Sequence, residues 1–408
     1  MFQDFCFYLA GVSRYHSYLN SAKTILERYN GEEPLSSFLK KYFAAHKKFG
    51  SKDRKQISNL CYCYFRLGKA ALPTPPAGGG ILEDSLKMEE KILAGLFLCS
   101  DKSNEILDAL KPEWNVKTGL SKKEKCSIVN AQFSIRNVFP WKEELSEGIS
   151  HEELFESFFV QPDLFLRIRP GHAEAVLLKL DKTGVEYEFT SPFTVRLPNS
   201  FKADEYFELD KEVVVQDYSS QKVHEFLPVR RGPSDRVWDC CAGSGGKSIL
   251  LNDILGKIDL TVSDVRESIL KNLEKRFAKA GIRNYKSFDL TQPVPGFQQD
   301  TFNLILADIP CSGSGTWSRT PEQLYYFDAK KIDEYAALQR KIVSNIIDHI
   351  EPGGYLLYIT CSVFKKENED LVNFIKEKFH LQTVKIELIK GYDKKADTMF
   401  AALLKKPL

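Results

Sequence analysis

Residues 236–247 read Arg-Val-Trp-Asp-Cys-Cys-Ala-Gly-Ser-Gly-Gly-Lys, a short apolar run followed by a glycine-rich turn and the start of a helical pattern. Further apolar runs follow, separated by stretches with helical periodicity. The predicted strands are Arg236–Asp239, Asp259–Asp264, Tyr285–Asp289, Phe302–Asp308 and Gly354–Ile359. Apolar strands that alternate with helices predict a parallel, doubly wound α/β sheet, which binds its ligands at the carboxyl ends of the strands. Four of these predicted strands end in an aspartate, and the fifth is followed shortly by Cys361.

Two regions of different character precede this predicted sheet. The chain has 408 residues, so we expect two or three domains, and its 43% hydrophobic content is enough for packed cores. Residues 1–150 read mainly as helices, interrupted by a linker rich in proline and glycine at Pro73–Gly80. Residues 151–215 read as short strands with one helix, which predicts a small α+β domain. Residues 216–408 then form the α/β domain.

The net charge of +2 conceals an uneven distribution along the chain. Between Ser36 and Lys69 there are nine Lys or Arg residues and one acid, Asp53, whereas ten basic and fifteen acidic residues lie between Ile81 and Val160. A local basic face in a nearly neutral protein favours contact with nucleic acid on one surface. An ordinary solvated helix face explains a charge run equally well. The basic residues expected to contact RNA are Lys40, Lys41, Lys47, Lys48, Lys52, Arg54 and Lys55.

The cysteines indicate a reducing compartment. There are nine, an odd number, and none forms a Cys-x-x-Cys pair, which argues against a disulfide framework and against a zinc site. The apolar segment Phe5–Val12 has no basic region before it, so we do not interpret it as a signal peptide, and no other stretch is long and apolar enough to span a membrane. We therefore expect a cytoplasmic protein without a metal ion.

The glycine-rich turn favours one class of ligand. It matches neither the phosphate-binding loop Gly-x-x-x-x-Gly-Lys-Ser/Thr nor the dinucleotide motif Gly-x-Gly-x-x-Gly. Its glycines let the backbone approach a ligand closely. Asp264 follows about twenty residues later, where an acid commonly binds ribose hydroxyls, and Asp289 could accept a hydrogen bond from an adenine amino group. This combination fits S-adenosylmethionine better than NAD.

Two cysteines follow predicted strands downstream of this turn, Cys311 in Asp-Ile-Pro-Cys-Ser-Gly-Ser-Gly and Cys361 in Tyr-Ile-Thr-Cys-Ser. Carbon C5 of cytosine is a poor nucleophile, but addition of a thiolate to C6 makes C5 reactive enough to take a methyl group. A base must then remove the C5 proton so that the thiolate can leave. Asp308 is placed to stabilise the adduct near N3 and the exocyclic amine. A single cysteine at a strand end is more often a small buried apolar residue, but two beside a cofactor turn favour catalysis.

These motifs resemble the RNA cytosine-5 methyltransferases of the Nol1/Nop2/Sun type, and in particular the bacterial Sun branch that modifies small-subunit ribosomal RNA. Cys241–Lys247 is similar to that family's cofactor motif, Cys-Ala-Ala-Pro-Gly-Gly-Lys. Val215–Gln221 resembles the motif that precedes its catalytic domain, and Ser51–Gly68 resembles its NusB-like helical RNA-binding domain. Asp397–Phe400 looks like its last pair of strands. The resemblance implies a Rossmann-like methyltransferase domain that uses S-adenosylmethionine.

The resemblance also implies roles for particular residues. Cys361 is the nucleophile and Cys311 assists release of the product, whereas chemistry alone leaves the two roles interchangeable. The catalytic group is Cys361, Cys311, Asp308 and Lys247. The cofactor-binding group is Cys241, Ala242, Gly243, Ser244, Gly245, Gly246, Lys247, Asp264, Asp289 and Asp308.

The sequence departs from the family pattern in two places. Gly243-Ser244 replaces Ala-Pro in the cofactor turn, which should loosen the turn without removing its backbone donors. After the first thiol the family has an Arg-Arg-His/Asn-Pro-Asp run, whereas this chain reads Trp317-Ser-Arg-Thr-Pro-Glu322. Arg319 keeps one basic group for RNA there, and Glu322 replaces an aspartate.

Three readings of the function therefore stay open. The first is methylation of cytosine in 16S ribosomal RNA, and the second is the same reaction on transfer RNA. The third is a catalytically inactive RNA-binding assembly factor that keeps the methyltransferase fold. In each case RNA is the expected partner, and nothing in the sequence indicates more than a monomer.

Overall fold

The computed structural model describes residues 2–71, 87–130, 135–228, 235–290 and 297–408. The linker predicted at Pro73–Gly80 lies outside them. The described helices are α1 Phe2–Arg28, α2 Leu35–Ala45, α3 Ser51–Phe65, α4 Met88–Cys99, α5 Glu105–Leu110, α6 Pro112–Asn115, α7 Lys122–Asn130, α8 His151–Ser157, α9 Ala173–Thr183, α10 Tyr218–Lys222, α11 Gly246–Leu255, α12 Glu267–Ala280, α13 Pro321–Tyr326, α14 Lys330–Ile346 and α15 Glu369–Phe379.

Eleven strands complete the described secondary structure. They are β1 Leu164–Ile168, β2 Glu188–Ser191, β3 Thr194–Leu197, β4 Val213–Val215, β5 Arg236–Asp239, β6 Asp259–Asp264, β7 Tyr285–Asp289, β8 Phe302–Asp308, β9 Ile350–Thr360, β10 Gln382–Ile389 and β11 Met399–Lys405. The chain divides into two compact units, one of residues 1–143, 150–161 and 317–328, the other of residues 144–149, 162–316 and 329–408. The division predicted near residues 150 and 215 stays a prediction.

The first unit is helical, which confirms the pattern predicted for the amino-terminal region. Apolar side chains spaced three or four residues apart form the buried face of each helix, as on α2, where Leu35, Leu39 and Phe43 are buried. Helix α1 begins at Phe2, earlier than the sequence periodicity indicated. Helices α3 and α4 pack closely at Gly95, where an added Cβ would lie 2.3 Å from the carbonyl oxygen of Cys63.

The second unit contains two sheets. The smaller has the strand order β2-β3-β1-β4 and packs against α9, which matches the small α+β region predicted upstream of the glycine-rich turn. The larger has the order β10-β11-β9-β8-β5-β6-β7. Its five predicted strands are mutually parallel, and β11 and β10 add an antiparallel pair beside β9. The predicted doubly wound sheet is therefore confirmed, with a mixed edge.

Helices cover both faces of the larger sheet. Consecutive strand residues face opposite sides, so Val237 packs in the core that contains Leu273 and Phe277 of α12, whereas Trp238 packs in the core that contains Val343 of α14 and Ile375 of α15. The chain runs outward from β5 to β6 and β7 on one side and to β8 and β9 on the other. Such a reversal of strand order opens a crevice at the carboxyl ends of the central strands.

Among the described residues, none of the helices combines the length and the apolar character needed to cross a membrane. Within the same residues, no cluster of three or more His, Cys, Asp or Glu side chains is arranged to hold a metal ion.

Candidate active site

Strand register brings the predicted site residues to one edge of the larger sheet. Asp264, the last residue of β6, pairs with Asp289 at the end of β7. Asp308 ends β8 and pairs with Ile359 of β9, two residues before Cys361. Because the strands are parallel, their carboxyl ends lie together. The acids, the glycine-rich turn and both thiols therefore meet at this edge, as the sequence predicted.

Backbone hydrogen bonds hold the glycine-rich turn between β5 and α11. The amide of Ala242 donates to the carbonyl of Ser263 at 2.9 Å, and the amide of Gly245 donates to the carbonyl of Ala242 at 2.9 Å. Gly245 has a φ of 83°, and an added Cβ would lie 2.7 Å from the ring of Phe277 on α12. Gly243 has a φ of 52° but open space around it. Gly245 is thus required by packing, and Gly243 leaves one side of the turn accessible.

Asp264 is buried beside this turn. Its Oδ2 accepts a hydrogen bond from the Gly243 amide at 3.0 Å, and Arg266 donates to both of its carboxylate oxygens. Burial opposes ionisation, but the hydrogen bonds and charge of Arg266 outweigh it and hold the pKa of Asp264 below its ordinary value. The sequence analysis did not anticipate Arg266, because an arginine two residues after a strand end is usually solvated. Asp289 is half-buried.

Asp239, the last residue of β5, is a buried acid beneath the turn. Ser248 of α11 donates to its Oδ2 at 2.5 Å, and its Oδ1 is buried with no hydrogen-bond partner among the described residues. Burial raises the pKa of Asp239 to about 7. This acid therefore exchanges its proton near neutral pH.

Lys247 and Asp308 form an ion pair, with 2.7 Å between Nζ and Oδ2. Lys247 belongs to the first turn of α11, and its side chain is 12% exposed. Burial alone would lower the pKa of Lys247, but the charge of Asp308, with a further contribution from Cys361, raises it. The lysine is consequently a fixed cation that faces both the acid and the second thiol.

The two thiols face each other. The sulfur atoms of Cys311 and Cys361 are 3.2 Å apart, and both residues are half-buried free cysteines. The pairing with β9 continues one residue beyond the end of β8, since the amide of Ile309 donates to the carbonyl of Ile359 at 3.0 Å. The contact with Cys361, followed by burial and the charge of Glu367, raises the pKa of Cys311 well above its ordinary value. This shift favours the protonated form of Cys311.

Gly315 fixes the loop that carries Cys311. Its amide donates to the carbonyl of Cys361, and its carbonyl accepts from the amide of Thr398, each at 2.9 Å. A Cβ at Gly315 would lie 2.0 Å from the carbonyl oxygen of Thr398. The loop of the first thiol is thus held between the loop of the second thiol and the start of β11.

Glu367 is a buried acid that the sequence analysis missed. Its Oε2 accepts from the Ser312 amide at 2.8 Å and from Gln339 at 3.1 Å, and its Oε1 accepts from the Ser362 hydroxyl at 2.7 Å. The only sequence signal is an acid six residues after the second thiol. The surrounding residues Lys365-Lys366-Glu367-Asn368-Glu369-Asp370 read as an exposed charged loop.

The residues predicted to contact RNA lie in the helical unit. Lys40, Lys41, Lys47, Lys48, Lys52, Arg54 and Lys55 are all exposed on α2, α3 or the loop between them. Lys41 pairs with Glu33 at 2.8 Å, and Arg54 donates to the carbonyl of Phe49. Arg319 is half-buried. Glu322 is buried, and its Oε1 accepts from the Leu35 amide at the start of α2, so here this acid anchors a helix.

Comparison with known proteins supports the reading of the carboxyl-terminal region. Residues 229–404 match the family model described as 16S rRNA methyltransferase RsmB/F. The chain is 30% identical over 305 residues to ribosomal RNA small subunit methyltransferase B of Enterobacter sp. (strain 638), which covers 73% of this chain and 64% of that protein. It is 30% identical over 229 residues to the protein of that name from Klebsiella pneumoniae, covering 54% of this chain and 52% of the relative. The chain thus spans less than two thirds of the length of these relatives.

Solved structures share the fold. The crystal structure of PH0851 superimposes with a TM-score of 0.68 at 19% identity and covers 97% of this chain and 99% of that one. NSun6 from Pyrococcus horikoshii, crystallised with SFG, superimposes with a TM-score of 0.54 at 15% identity, covering 63% of this chain and 94% of that one. Together with the motifs quoted above, the sequence matches identify residues 229–404 as a methyltransferase domain of the RsmB/F type.

Proposed function

We propose that the protein is an S-adenosylmethionine-dependent RNA (cytosine-5)-methyltransferase that acts on 16S ribosomal RNA. The observation that carries the proposal is the pair of facing thiols, 3.2 Å apart, beside the Lys247–Asp308 ion pair. One thiol adds to a base and the second serves its release, which is the chemistry that C5 methylation of a pyrimidine demands. The names of the family model and of the relatives support ribosomal RNA as the substrate.

The residues around the glycine-rich turn fit the cofactor. Gly243 leaves open space beside a turn that needs backbone access, and the Asp239 carboxylate keeps one buried oxygen without a described partner. Asp264 and Asp289 present acids at neighbouring strand ends for hydroxyl and amino groups. When bound there, S-adenosylmethionine supplies a methyl group that its sulfonium makes electrophilic. NSun6, a neighbour in fold, was crystallised with SFG, an analogue of this cofactor.

The first half of the reaction uses Cys361. Its thiolate sulfur forms a bond to C6 of cytosine, and the electron pair of the C5–C6 double bond becomes available at C5 to take the methyl group. Asp308, held by Lys247 at 2.7 Å, would face N3 and the exocyclic amine of the base and stabilise the adduct. The ammonium of Lys247 attracts the thiolate of Cys361 before the attack.

The second half uses Cys311. Once the Cys361 sulfur is bonded to C6 it carries no negative charge, so the largest cause of the raised pKa of Cys311 is removed. Cys311 can then lose its proton to solvent and, as a thiolate, accept the proton from C5. The C–H electron pair restores the C5–C6 double bond, and the C6–S pair returns to Cys361. In this order Cys361 is the nucleophile and Cys311 the base, the assignment that the family resemblance implies.

Binding of RNA is proposed for the exposed basic residues on α2 and α3. Positively charged side chains gain affinity by releasing counterions from phosphates, so this binding should weaken steeply with salt. Because extruding a base from a stacked helix costs a few kcal/mol, an unpaired site is the favoured target. Binding that does not change between low and physiological salt would contradict this part of the proposal.

Transfer of labelled methyl groups tests the proposed function. Purified protein is incubated with labelled S-adenosylmethionine and either undermethylated small-subunit ribosomal RNA or bulk transfer RNA, and the product nucleosides are separated. We expect 5-methylcytidine in ribosomal RNA from the wild type and none from Cys361→Ala. Label in transfer RNA alone would establish the alternative substrate. No label, together with no cofactor binding in calorimetry, would favour the non-catalytic assembly factor.

A further inference from the structure

Glu367 joins the loops of the two thiols. It accepts from the backbone amide of Ser312, the residue after Cys311, and from the hydroxyl of Ser362, the residue after Cys361. The three hydrogen bonds to this carboxylate measure 2.7 to 3.1 Å, and the side chain is fully buried. A buried carboxylate with three partners is costly to create and is held rigidly once formed. This one side chain therefore bonds the loop of Cys311 to the loop of Cys361.

A cluster of serine hydroxyls extends this contact. The Ser312 hydroxyl lies 3.2 Å from that of Ser362 and 3.1 Å from that of Ser314, and the Ser314 hydroxyl accepts from the Val363 amide at 2.9 Å. Each thiol loop is thus bonded to the other through both the carboxylate and the hydroxyls. With Gly315, these contacts maintain the short distance between the sulfur atoms.

Charged groups of opposite sign act on the two thiols. It is among the causes that raise the pKa of Cys311. On the other side, the thiolate of Cys361 and the ammonium of Lys247 attract each other, and Asp308 holds that ammonium in place. The negative charge on one side and the positive charge on the other favour a thiol at Cys311 and a thiolate at Cys361.

We propose that Glu367 is the positioning residue that holds the two thiol loops together and directs the proton of the pair to Cys311. It touches neither sulfur atom in any contact that the structure shows, so it acts through Ser312 and Ser362. This assignment deepens the proposed function, on which its catalytic meaning rests, but the protonation order of the two thiols can be measured without RNA or cofactor.

Alkylation measures that order directly. Ligand-free protein is treated with iodoacetamide at neutral pH, and the rate at each cysteine is followed by mass spectrometry of peptides. Iodoacetamide reacts with thiolates, so in the wild type Cys361 should react at least about tenfold faster than Cys311. In Glu367→Gln the ratio of the two alkylation rates should fall by at least about threefold. An unchanged ratio in a folded Glu367→Gln protein would overturn the proposal.

Glu369→Gln is the matched control. Glu369 is also a carboxylate with a pKa raised by burial, two residues away, but it bonds Ser146 and contacts neither Ser312 nor Ser362 in the hydrogen bonds described. Its replacement should leave the alkylation ratio within twofold of the wild type. A ratio that falls as far as in Glu367→Gln would show a general effect of lost charge and would also overturn the proposal.

The pH dependence of the ratio gives a second test that does not require the Glu367 variant to fold. Burial raises the pKa of Glu367, so this acid takes up a proton as the pH falls. The ratio of alkylation at Cys361 to alkylation at Cys311 should then decrease. Gln339→Met removes one hydrogen bond to the charged form of Glu367, so Glu367 should take up its proton at a higher pH. The decrease in the alkylation ratio should therefore occur at a higher pH than in the wild type. A profile identical to the wild type in this variant would contradict the role of Glu367.

Other titratable groups near the thiols come from several elements. Lys247 of α11 has a raised pKa, and Tyr335 of α14 and Tyr358 of β9 have phenol pKa values raised by burial, so none of the three changes charge between pH 6 and 9. Asp308 of β8 is paired with Lys247. Asp239 of β5 does titrate, at about 7. It is present in the wild type and in each variant, so the differences between them isolate Glu367.

Discussion

Replacement of Gly245 by alanine tests whether close packing of the cofactor turn on α12 fixes this part of the fold. Its φ of 83° places a side chain in the left-handed region, which costs about 1 to 2 kcal/mol. The new Cβ would lie 2.7 Å from the ring of Phe277 and 3.0 Å from Leu273, and overpacking of this kind costs about 1 to 3 kcal/mol. We therefore expect Gly245→Ala to lower the free energy of unfolding by about 2 to 5 kcal/mol.

Gly243→Ala is the matched control in the same turn. Its φ of 52° carries the same conformational cost, but nothing lies within 4 Å of the added Cβ. The expected loss is about 1 to 2 kcal/mol, without a packing contribution. Urea unfolding followed by circular dichroism measures both variants. A Gly245→Ala protein that is no less stable than Gly243→Ala would refute the packing argument. Because Gly245 sets the start of α11, we also expect weaker cofactor binding in that variant by calorimetry.

Three further predictions follow from charge. The double variant Lys47→Glu with Lys48→Glu should weaken binding to RNA of any sequence, and it should reduce the slope of log affinity against log salt by about 1 for each lost phosphate contact. The control Lys123→Glu, elsewhere in the helical unit, should change neither the affinity nor the slope. Equal effects of the two variants in a filter-binding titration would contradict RNA binding by the basic residues of α2 and α3. Burial raises the pKa of Asp239 to about 7, so between about pH 4 and pH 7 the folded state binds a proton that the unfolded state has lost, and stability falls as pH rises through that range. The stability of Asp239→Asn relative to wild type should therefore increase with pH across this range in unfolding titrations. A difference in stability that stays constant with pH would refute the raised pKa of Asp239. Lys247→Met should slow methyl transfer by about 100-fold while RNA affinity stays unchanged, and a rate within threefold of wild type would exclude an electrostatic role for this lysine.

The sequence predicted the central sheet well because buried parallel strands are continuous apolar runs. Strands β5, β6 and β8 were located by their apolar runs, and each strand from β5 to β8 also has an acid at its end, such as Asp239 or Asp308. The facing thiols could be expected for the same reason, since two motifs that follow adjacent parallel strands must lie at one edge. Strand β10 gave no such signal, because this edge strand is largely exposed and its residues alternate in polarity.

The sequence could not predict contacts between side chains that lie far apart along the chain. Glu367 and Glu322 are both buried acids, yet each lies in a stretch that reads as polar surface, and their partners Ser312 and Leu35 are far away in sequence. Glu322 was noted in the sequence only as the replacement of a family aspartate, whereas in the structure it anchors the first turn of α2. Only the three-dimensional fold reveals which charged residues are withdrawn from water.

The most direct test of the central claim is to locate the covalent bond to RNA. Cys311→Ala is incubated with S-adenosylmethionine and undermethylated small-subunit ribosomal RNA, and the protein is analysed by denaturing electrophoresis and mass spectrometry after nuclease digestion. The account predicts a stable adduct, with a methylated cytidine attached to the peptide that contains Cys361, because attack proceeds and release is blocked. An adduct that forms instead through Cys311, in the Cys361→Ala protein, would contradict the assignment of the two thiols. Methylation at a normal rate by a protein that lacks both cysteines would contradict covalent catalysis.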